Sequence, residues 1–277
     1  MSANRGAKII LHSLERSRSQ RILWLLEELR LTYEIRPYQR DATQRAPAAL
    51  KHLHPLGKAP VLSILAPSGP PSPLILAESA AIVEYLVDHF LPPRAAHSPG
   101  PLTLPPRWTA GRENTPAGET AAWLRYRYLM HYAEGSLMPV VVTRILMDVV
   151  QNAPAPFFVK PVLGIVPAIV NREYTQPNLE THFGFLEGLL GGIAGEAGAV
   201  AAGGAAGGAA SYLAGTQFTP ADILMSYPLV IAEEIQAIDP ERFPRLRGYV
   251  RGLRGMEGYR RAVRVLEEVE GQAYKPF

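Results

Sequence analysis

Within its first ninety residues the chain switches repeatedly between strand-like and helical hydrophobic patterns, and this alternation restricts the fold more than any other feature. KIILHSL (8–14) is a short apolar strand, and SRSQRILWLLEELRL (17–31) carries Ile22, Leu23, Leu25, Leu26 and Leu29 at helical spacing. YEIRPY (33–38) alternates as a second strand, and PAALKHL (47–53) reads as a short helix with Pro47 at its start. VLSIL (61–65) and LILAE (74–78) are further strands joined by the turn-rich APSGPPSP, and SAAIVEYLVDHFL (79–91) closes the unit as a helix. The order, βαβ followed by αββα, is compatible with a mixed four-stranded sheet.

The pattern then stops. PPRAAHSPGPLTLPPRWTAGRENTPAG (92–118) holds too much proline and glycine for a helix and is expected to mark a domain boundary. Residues 119–277 read as all-α, with helices predicted over 119–152, roughly 159–174, 177–191, 219–235 and 244–268. A Gly/Ala-rich run at about 192–211, carrying Glu196, reads as a flexible loop insertion. The expected class is therefore α+β: a sheet-containing unit over 1–91, then a helical one.

Composition removes several functions. The chain has no cysteine, which excludes disulfides, thiolate metal sites and a protein cysteine nucleophile. No metal site is expected. Net charge is +3, and the basic run RGYVRGLRGMEGYRRAVR reads as a solvated helix face rather than a nucleic-acid patch. The high pI would suit anionic small molecules. No stretch approaches the roughly 18–20 apolar residues of a membrane span, and MSANRGAKIILHSL lacks the apolar run of a secretory signal. A cytoplasmic protein without nucleic-acid partners or an integral membrane segment is expected.

Three stretches carry candidate chemistry. In HPLGKAPVL (54–62), Pro60 stands at the mouth of a strand, where it cannot donate to a ladder. It is either a plain loop-to-strand proline or a cis one. In the second case the N–H and C=O of Ala59 would face an extended peptide ligand, as an added strand does. In AESAA (77–81), Ser79 sits where a helix begins, as an ordinary cap or as part of an anion site with Glu78 ready for an ammonium group. In ERSRSQR (15–21), Ser17 opens another helix beside Arg18 and Arg21, an electropositive spot that favours a thiolate. Ser17 has no His/Asp pattern around it and reads as a hydroxyl donor or a cap rather than a nucleophile.

Together SRSQRILWLLEEL, YEIRPYQRD, APAALKHLHPLGKAPVL, LAESAAIVEYL, YAEGSLMP and TPADILMSYPL give the chain a resemblance to the cytosolic-type glutathione transferases, closest to the fungal and bacterial branch in which a Ser-Arg pair opens the first helix. The resemblance covers most of the chain outside 92–118 and about 192–211. It implies a thioredoxin-like N-terminal domain, an all-helical C-terminal domain, a homodimer, and glutathione as co-substrate. By the same resemblance Pro60 corresponds to the family's cis-proline and Ala59 to the residue whose main chain pairs with the cysteinyl part of glutathione. Glu78 and Ser79 match the pair that holds the γ-glutamyl group, and Lys58 falls near the tripeptide's C-terminal side. Ser17 resembles the serine that hydrogen-bonds the glutathione sulfur, with Arg18 beside it. His12 lies close to where tyrosine-type classes keep their catalytic tyrosine and is counted with the glutathione-binding residues, although a lone histidine more commonly packs or hydrogen-bonds within the fold.

The implied activity is detoxification chemistry, attack of the glutathione thiolate on a hydrophobic electrophile. The alternatives are a non-catalytic binding or assembly protein of the same fold and a transferase dedicated to one biosynthetic pathway. The electrophile pocket is expected between the domains, and Tyr126, Tyr132, Glu134 and Met138 are its candidate lining, although such a stripe also suits a core or a dimer contact. Thr219 and Asp222 in TPAD have the spacing of a capping box and are read as structural.

Overall fold

The computed structural model describes residues 3–92, 101–192 and 212–277. Most of the Gly/Ala-rich run and part of 92–118 lie outside the described residues. The chain packs into two compact units. The first comprises Met1–Leu104, Gln217–Tyr227 and Gly252–Phe277; the second comprises Pro105–Thr216 and Pro228–Arg251.

The first unit is built on four strands, β1 (Lys8–Leu14), β2 (Tyr33–Tyr38), β3 (Val61–Leu65) and β4 (Leu74–Ala77), in the order β2-β1-β3-β4. β1 runs parallel to β2 and antiparallel to β3, and β3 is antiparallel to β4. Burial follows position. The central strands β1 and β3 are buried at most residues because both faces are covered, whereas the edge strand β2 alternates and tolerates Pro37 in the ladder. Between β1 and β2 runs α1 (Ser19–Glu28); a 3₁₀ turn (Ala48–His52) precedes β3, and α2 (Ser79–Phe90) follows β4. This is the thioredoxin-like arrangement, with α1 two residues shorter at its start than the apolar pattern suggested.

α9 (Glu257–Glu270) belongs to this unit and packs along α1. Trp24 of α1 stacks on Phe218 with 5.6 Å between ring centroids and meets Tyr259 edge-on at 5.2 Å. Its indole N–H donates to Glu28 Oε1 at 2.8 Å, and Arg261 Nε reaches Glu27 at 2.9 Å. The approach is close enough to demand glycine at 258, where a Cβ would fall 2.0 Å from Glu28 Oε1.

The second unit is helical. One continuous run holds α3 (Ala121–Tyr132), a π-helical turn (Ala133–Leu137) and α4 (Met138–Gln151). A second holds α5 (Lys160–Val170), another π turn (Asn171–Thr175) and α6 (Gln176–Leu190). The sequence suggested a break between 174 and 177, yet the chain stays helical there. Pro139 and Pro177 each follow a π turn by two residues. Such a turn widens the backbone by one residue just where a proline would otherwise lack a donor and clash with the preceding turn. α7 (Pro220–Glu234) and α8 (Pro244–Gly255) complete the helices, and the division between the units falls within each of them. The single helix expected over 244–268 is two, because Met256 takes an extended conformation between α8 and α9. The start of α8 is capped from α6: the Glu187 carboxylate accepts the Arg245 and Leu246 N–H groups at 3.1 and 2.7 Å.

Candidate functional site

Strand register gathers the candidate residues of the first unit. Val61 pairs with His12 of β1 on one side and with Ala77 of β4 on the other. The end of β1, the start of β3 and the end of β4 therefore lie side by side at one end of the sheet. The segments attached there carry Ser17 and Arg18, Lys58 to Pro60, and Glu78 with Ser79. Pro60 and Ala59 precede, and Glu78 and Ser79 follow, the last β3–β4 pair, Val61 with Ala77.

The peptide bond between Ala59 and Pro60 is cis. Pro60 is buried, Ala59 half-buried and Lys58 exposed. Among the described residues, neither the N–H nor the C=O of Ala59 has a hydrogen-bond partner. That leaves one donor and one acceptor at the sheet end for an extended ligand.

Beside it, the chain enters α2 through Glu78, whose φ of 69° and ψ of 119° lie in a region that costs a residue with a side chain about 1–3 kcal/mol. Glu78 is exposed and its side chain makes no capping bond. Ser79 is buried beneath it, and its Oγ accepts a hydrogen bond from Arg21 Nη2 at 2.9 Å. Arg21 is fully buried. Its other terminal nitrogen donates to the Leu224 carbonyl at 3.0 Å, and its guanidinium lies 5.5 Å from the Tyr227 ring centre. One cation thus ties α1, the first turn of α2 and the start of α7 together, and these hydrogen bonds offset part of the cost of burying it.

Ser17 stands two residues before α1, in the loop leaving β1. Its Oγ lies 2.6 Å from the Leu14 carbonyl and 2.9 Å from Ser19 Oγ, and it accepts the Ser19 N–H at 3.2 Å. A carbonyl only accepts, so the single Ser17 hydroxyl proton is directed at Leu14. Arg18 is the residue before α1, half-buried and helical in backbone. The loop is held from the side of β2: Glu15 N–H donates to the Tyr38 carbonyl, Arg40 to the Arg16 carbonyl and Arg16 to Gln44, at 3.0, 3.1 and 2.7 Å. Arg16 itself takes a left-handed backbone, with φ 48°.

His12 is buried within the sheet. Its Nδ1 lies 3.1 Å from the Tyr38 hydroxyl and its Nε2 2.8 Å from Ser63 Oγ, so both ring nitrogens are engaged inside the fold. Burial, aided by the Arg36 charge, lowers its pKa from 6.5 and keeps the ring neutral.

In the second unit Tyr126, Tyr132 and Met138 are buried and Glu134 is half-buried. Tyr132 O–H pairs with His182 Nδ1 at 2.6 Å, and its ring stacks on Tyr128 and contacts Phe185. Burial raises the Tyr132 phenol well above its ordinary pKa and lowers His182, so the phenol donates to a neutral imidazole. The TPAD segment forms half of a capping box. Asp222 accepts from the Thr219 N–H and from the Thr219 hydroxyl at 2.8 and 2.7 Å, so the threonine side chain turns to the carboxylate instead of to a backbone N–H.

Sequence reasoning missed the role of Arg21. It reads as one cation in an electropositive spot, whereas the structure makes it the buried partner of Ser79. The signal was its place among Ile22, Leu23, Leu25 and Leu26, which every turn of the helix buries.

Comparison with known proteins agrees with this geometry. Residues 17–89 match the family model for the glutathione S-transferase N-terminal domain, a span that begins at Ser17 and contains both the cis-proline turn and the start of α2. Glutathione S-transferase 1 of Saccharomyces cerevisiae is 31% identical over 91% of this chain and 92% of its own length. Glutathione S-transferase 3 of Schizosaccharomyces pombe is 32% identical over 81% of this chain and 74% of its own. A crystal structure of a glutathione S-transferase from Actinobacillus pleuropneumoniae superposes with a TM-score of 0.60 at 26% identity, covering 96% of this chain and 94% of that one. With the sheet, the turn at Pro60 and similarity running nearly end to end, the chain belongs to the glutathione S-transferase family.

Proposed function

We propose that this glutathione transferase binds glutathione at the sheet end where Ala59, Glu78 and Ser79 meet, activates its thiol beside Ser17, and delivers the thiolate to a hydrophobic electrophile. The observation that carries the reading is the convergence, by register, of three segments whose chemistry matches one extended tripeptide. The N–H and C=O of Ala59 pair with the cysteinyl backbone, Glu78 takes the γ-glutamyl ammonium, and the head of α2 with Ser79 takes its carboxylate. Lys58, exposed one residue before Ala59, suits the glycyl carboxylate. His12 supports the site from within the sheet through Ser63 and Tyr38.

A free thiol titrates at roughly 8.5, so activation at neutral pH requires groups that favour the anion. The N–H groups opening α1, Arg18 and the Ser17 hydroxyl supply them. For Ser17 this means an exchange, its proton leaving the Leu14 carbonyl for the sulfur. The electrophile is bound by the helical residues, and the working form is a cytoplasmic homodimer whose role is detoxification. In this functional division residues 1–91 hold glutathione and 119–277 serve the electrophile.

Isothermal titration with glutathione, followed by ultraviolet absorbance of the bound thiolate against pH, tests the reading. Binding with a thiolate at neutral pH supports it. Ser17→Ala is expected to move the bound thiol's titration upward by about one to two pH units with little change in affinity. Glu78→Ala is expected to weaken binding by about tenfold or more. Absence of binding would transfer the case to a non-catalytic protein of the same fold.

A further inference from the structure

The hydroxyl and the cation assigned to thiol activation stand on a loop, Glu15 to Arg18, rather than on the sheet or on α1. A group on a loop holds one geometry only where other segments fasten it. In this loop the fastening centres on Glu15, a carboxylate that the glutathione chemistry does not itself use.

The Glu15 side chain is only 13% exposed. Its Oε1 accepts the Arg40 N–H at 2.7 Å, and the Arg16 guanidinium lies 3.8 Å from the same oxygen. Oε2 accepts from Gln272 Nε2 at 3.4 Å. Arg40 returns to the loop by donating to the Arg16 carbonyl, and Arg16 and Arg40 both reach Gln44, at its side chain and its carbonyl respectively. The carboxylate therefore joins the loop to the turn after β2 and to the segment after α9. That last segment is itself anchored. Gly271 ends α9 in a left-handed conformation, the Tyr274 N–H donates to Glu267 Oε1 at 3.0 Å, and the Tyr227 hydroxyl donates to the Pro276 carbonyl at 2.8 Å. All of these residues belong to the first unit. Arg16 is where the fastenings meet, and a residue with a side chain keeps its positive φ only where the surroundings hold it. The next residue is Ser17.

Charge alone gives no reason for an acid two residues from Ser17. A negative group near the sulfur works against its ionisation. A second carboxylate, the half-buried Glu270, also faces this cluster: burial first and the Glu15 charge next raise its pKa, with Arg16 and Gln272 opposing. We propose that Glu15 is a positioning residue for thiol activation, its carboxylate, held by Arg40 and Gln272, fixing Arg16 and thereby the placement of Ser17 and Arg18. The proposal rests on the reading of Ser17 given above.

The test uses the sign of a titration shift. Removing a charge that only opposes the thiolate lowers the pH at which the bound thiol ionises, whereas losing the fastening raises it. With glutathione bound and the thiolate followed by ultraviolet absorbance, Glu15→Ala is expected to move the titration upward by about one pH unit. Affinity for S-methylglutathione, whose sulfur cannot ionise, is expected to change by less than about twofold in titration calorimetry. Glu15→Gln keeps an oxygen for the Arg40 N–H and is expected to recover most of the shift. Gln272→Ala, a neutral change on the outer side of the cluster, serves if Glu15→Ala does not fold; an upward shift of about half a pH unit is expected, and none overturns the proposal. A downward or absent shift in Glu15→Ala also overturns it, as does a loss of S-methylglutathione affinity of about tenfold, which would mean that the whole site deforms. A wild-type protein that binds S-methylglutathione yet forms no thiolate with glutathione overturns the reading of Ser17 and this role with it, whereas a wild-type thiolate that Glu15→Ala leaves in place overturns the role alone.

Discussion

Helices α1 and α5 are almost equal in length, and their sequences invite the wrong guess about which is buried. α1 contains Ser19, Gln20, Arg21 and Glu28, yet all but one of its ten residues are buried. α5 contains ten residues without a polar side chain after Lys160, yet only Pro167 is buried. Hydropathy therefore does not settle location; the packing partners do. α1 packs against α9, and Arg21 and Glu28 find partners within the unit, whereas among the described residues Gln20 Nε2 is buried without one. Among the described residues α5 packs chiefly on α4, and most of its residues remain exposed. Buried polar groups and exposed apolar ones are the two departures from ordinary partitioning that carry functional information. Here they sit on different helices, the buried polar set on α1 and the exposed apolar set on α5.

The largest expected effect probes the buried side of this contrast. Trp24→Ala removes a fully buried ring between Phe218 and Tyr259 and takes the donor from Glu28, with an expected loss of about 3–5 kcal/mol in urea unfolding. Arg21→Met keeps volume but strips Ser79 and the Leu224 carbonyl of their donor. A loss of about 2–3 kcal/mol is expected, together with weaker glutathione binding by titration calorimetry. Unchanged affinity there would mean that Arg21 supports the fold without shaping the site.

Glu28 sharpens the comparison through pH. Burial pushes its carboxyl above the ordinary value of 4.5, with the Trp24 N–H opposing that shift in part. Below 4.5 the group is protonated in both folded and unfolded chains and contributes nothing to the pH dependence. As pH rises past 4.5 the unfolded chain ionises first, so stability falls until the folded carboxyl ionises too. Glu28→Gln is expected to flatten that decline in unfolding curves collected across the window. The smallest effect belongs to α5: Ile165→Ser should change stability by no more than about 0.5 kcal/mol, and a loss near that of Trp24→Ala would break the contrast by showing the face to be covered.

Much of this was legible in the chain. β1, β2 and β3 begin and end at the residues where their apolar runs do, because each run is bounded by turn residues or by a change of period. Pro60 was legible as special, and its neighbours Glu78 and Ser79 as a helix start, but their adjacency needed the strand register. The start of α1 was misjudged because Ser17 has the chemistry of a cap, while its hydroxyl bonds back to Leu14 and leaves the helix to begin at Ser19. Pro177 looked like a helix break because a regular α-helix cannot hold it, and the π turn that admits it leaves no mark in hydrophobic period. Arg21 stayed hidden for a different reason: its partners lie 58 and 203 residues away in sequence.

The packing of α9 on α1 has a consequence for how the protein is made. Strand and helix segments up to residue 91 leave the ribosome first and carry every residue assigned to glutathione. The face of α1 that holds Trp24 and Glu27 nevertheless waits for Phe218, Tyr259 and Arg261, which are synthesised near the end. Domains ordinarily fold in the order they emerge. This one begins to form well before α9 is made, so a nascent chain stalled before α9 displays α1 with Trp24 not yet covered by Tyr259.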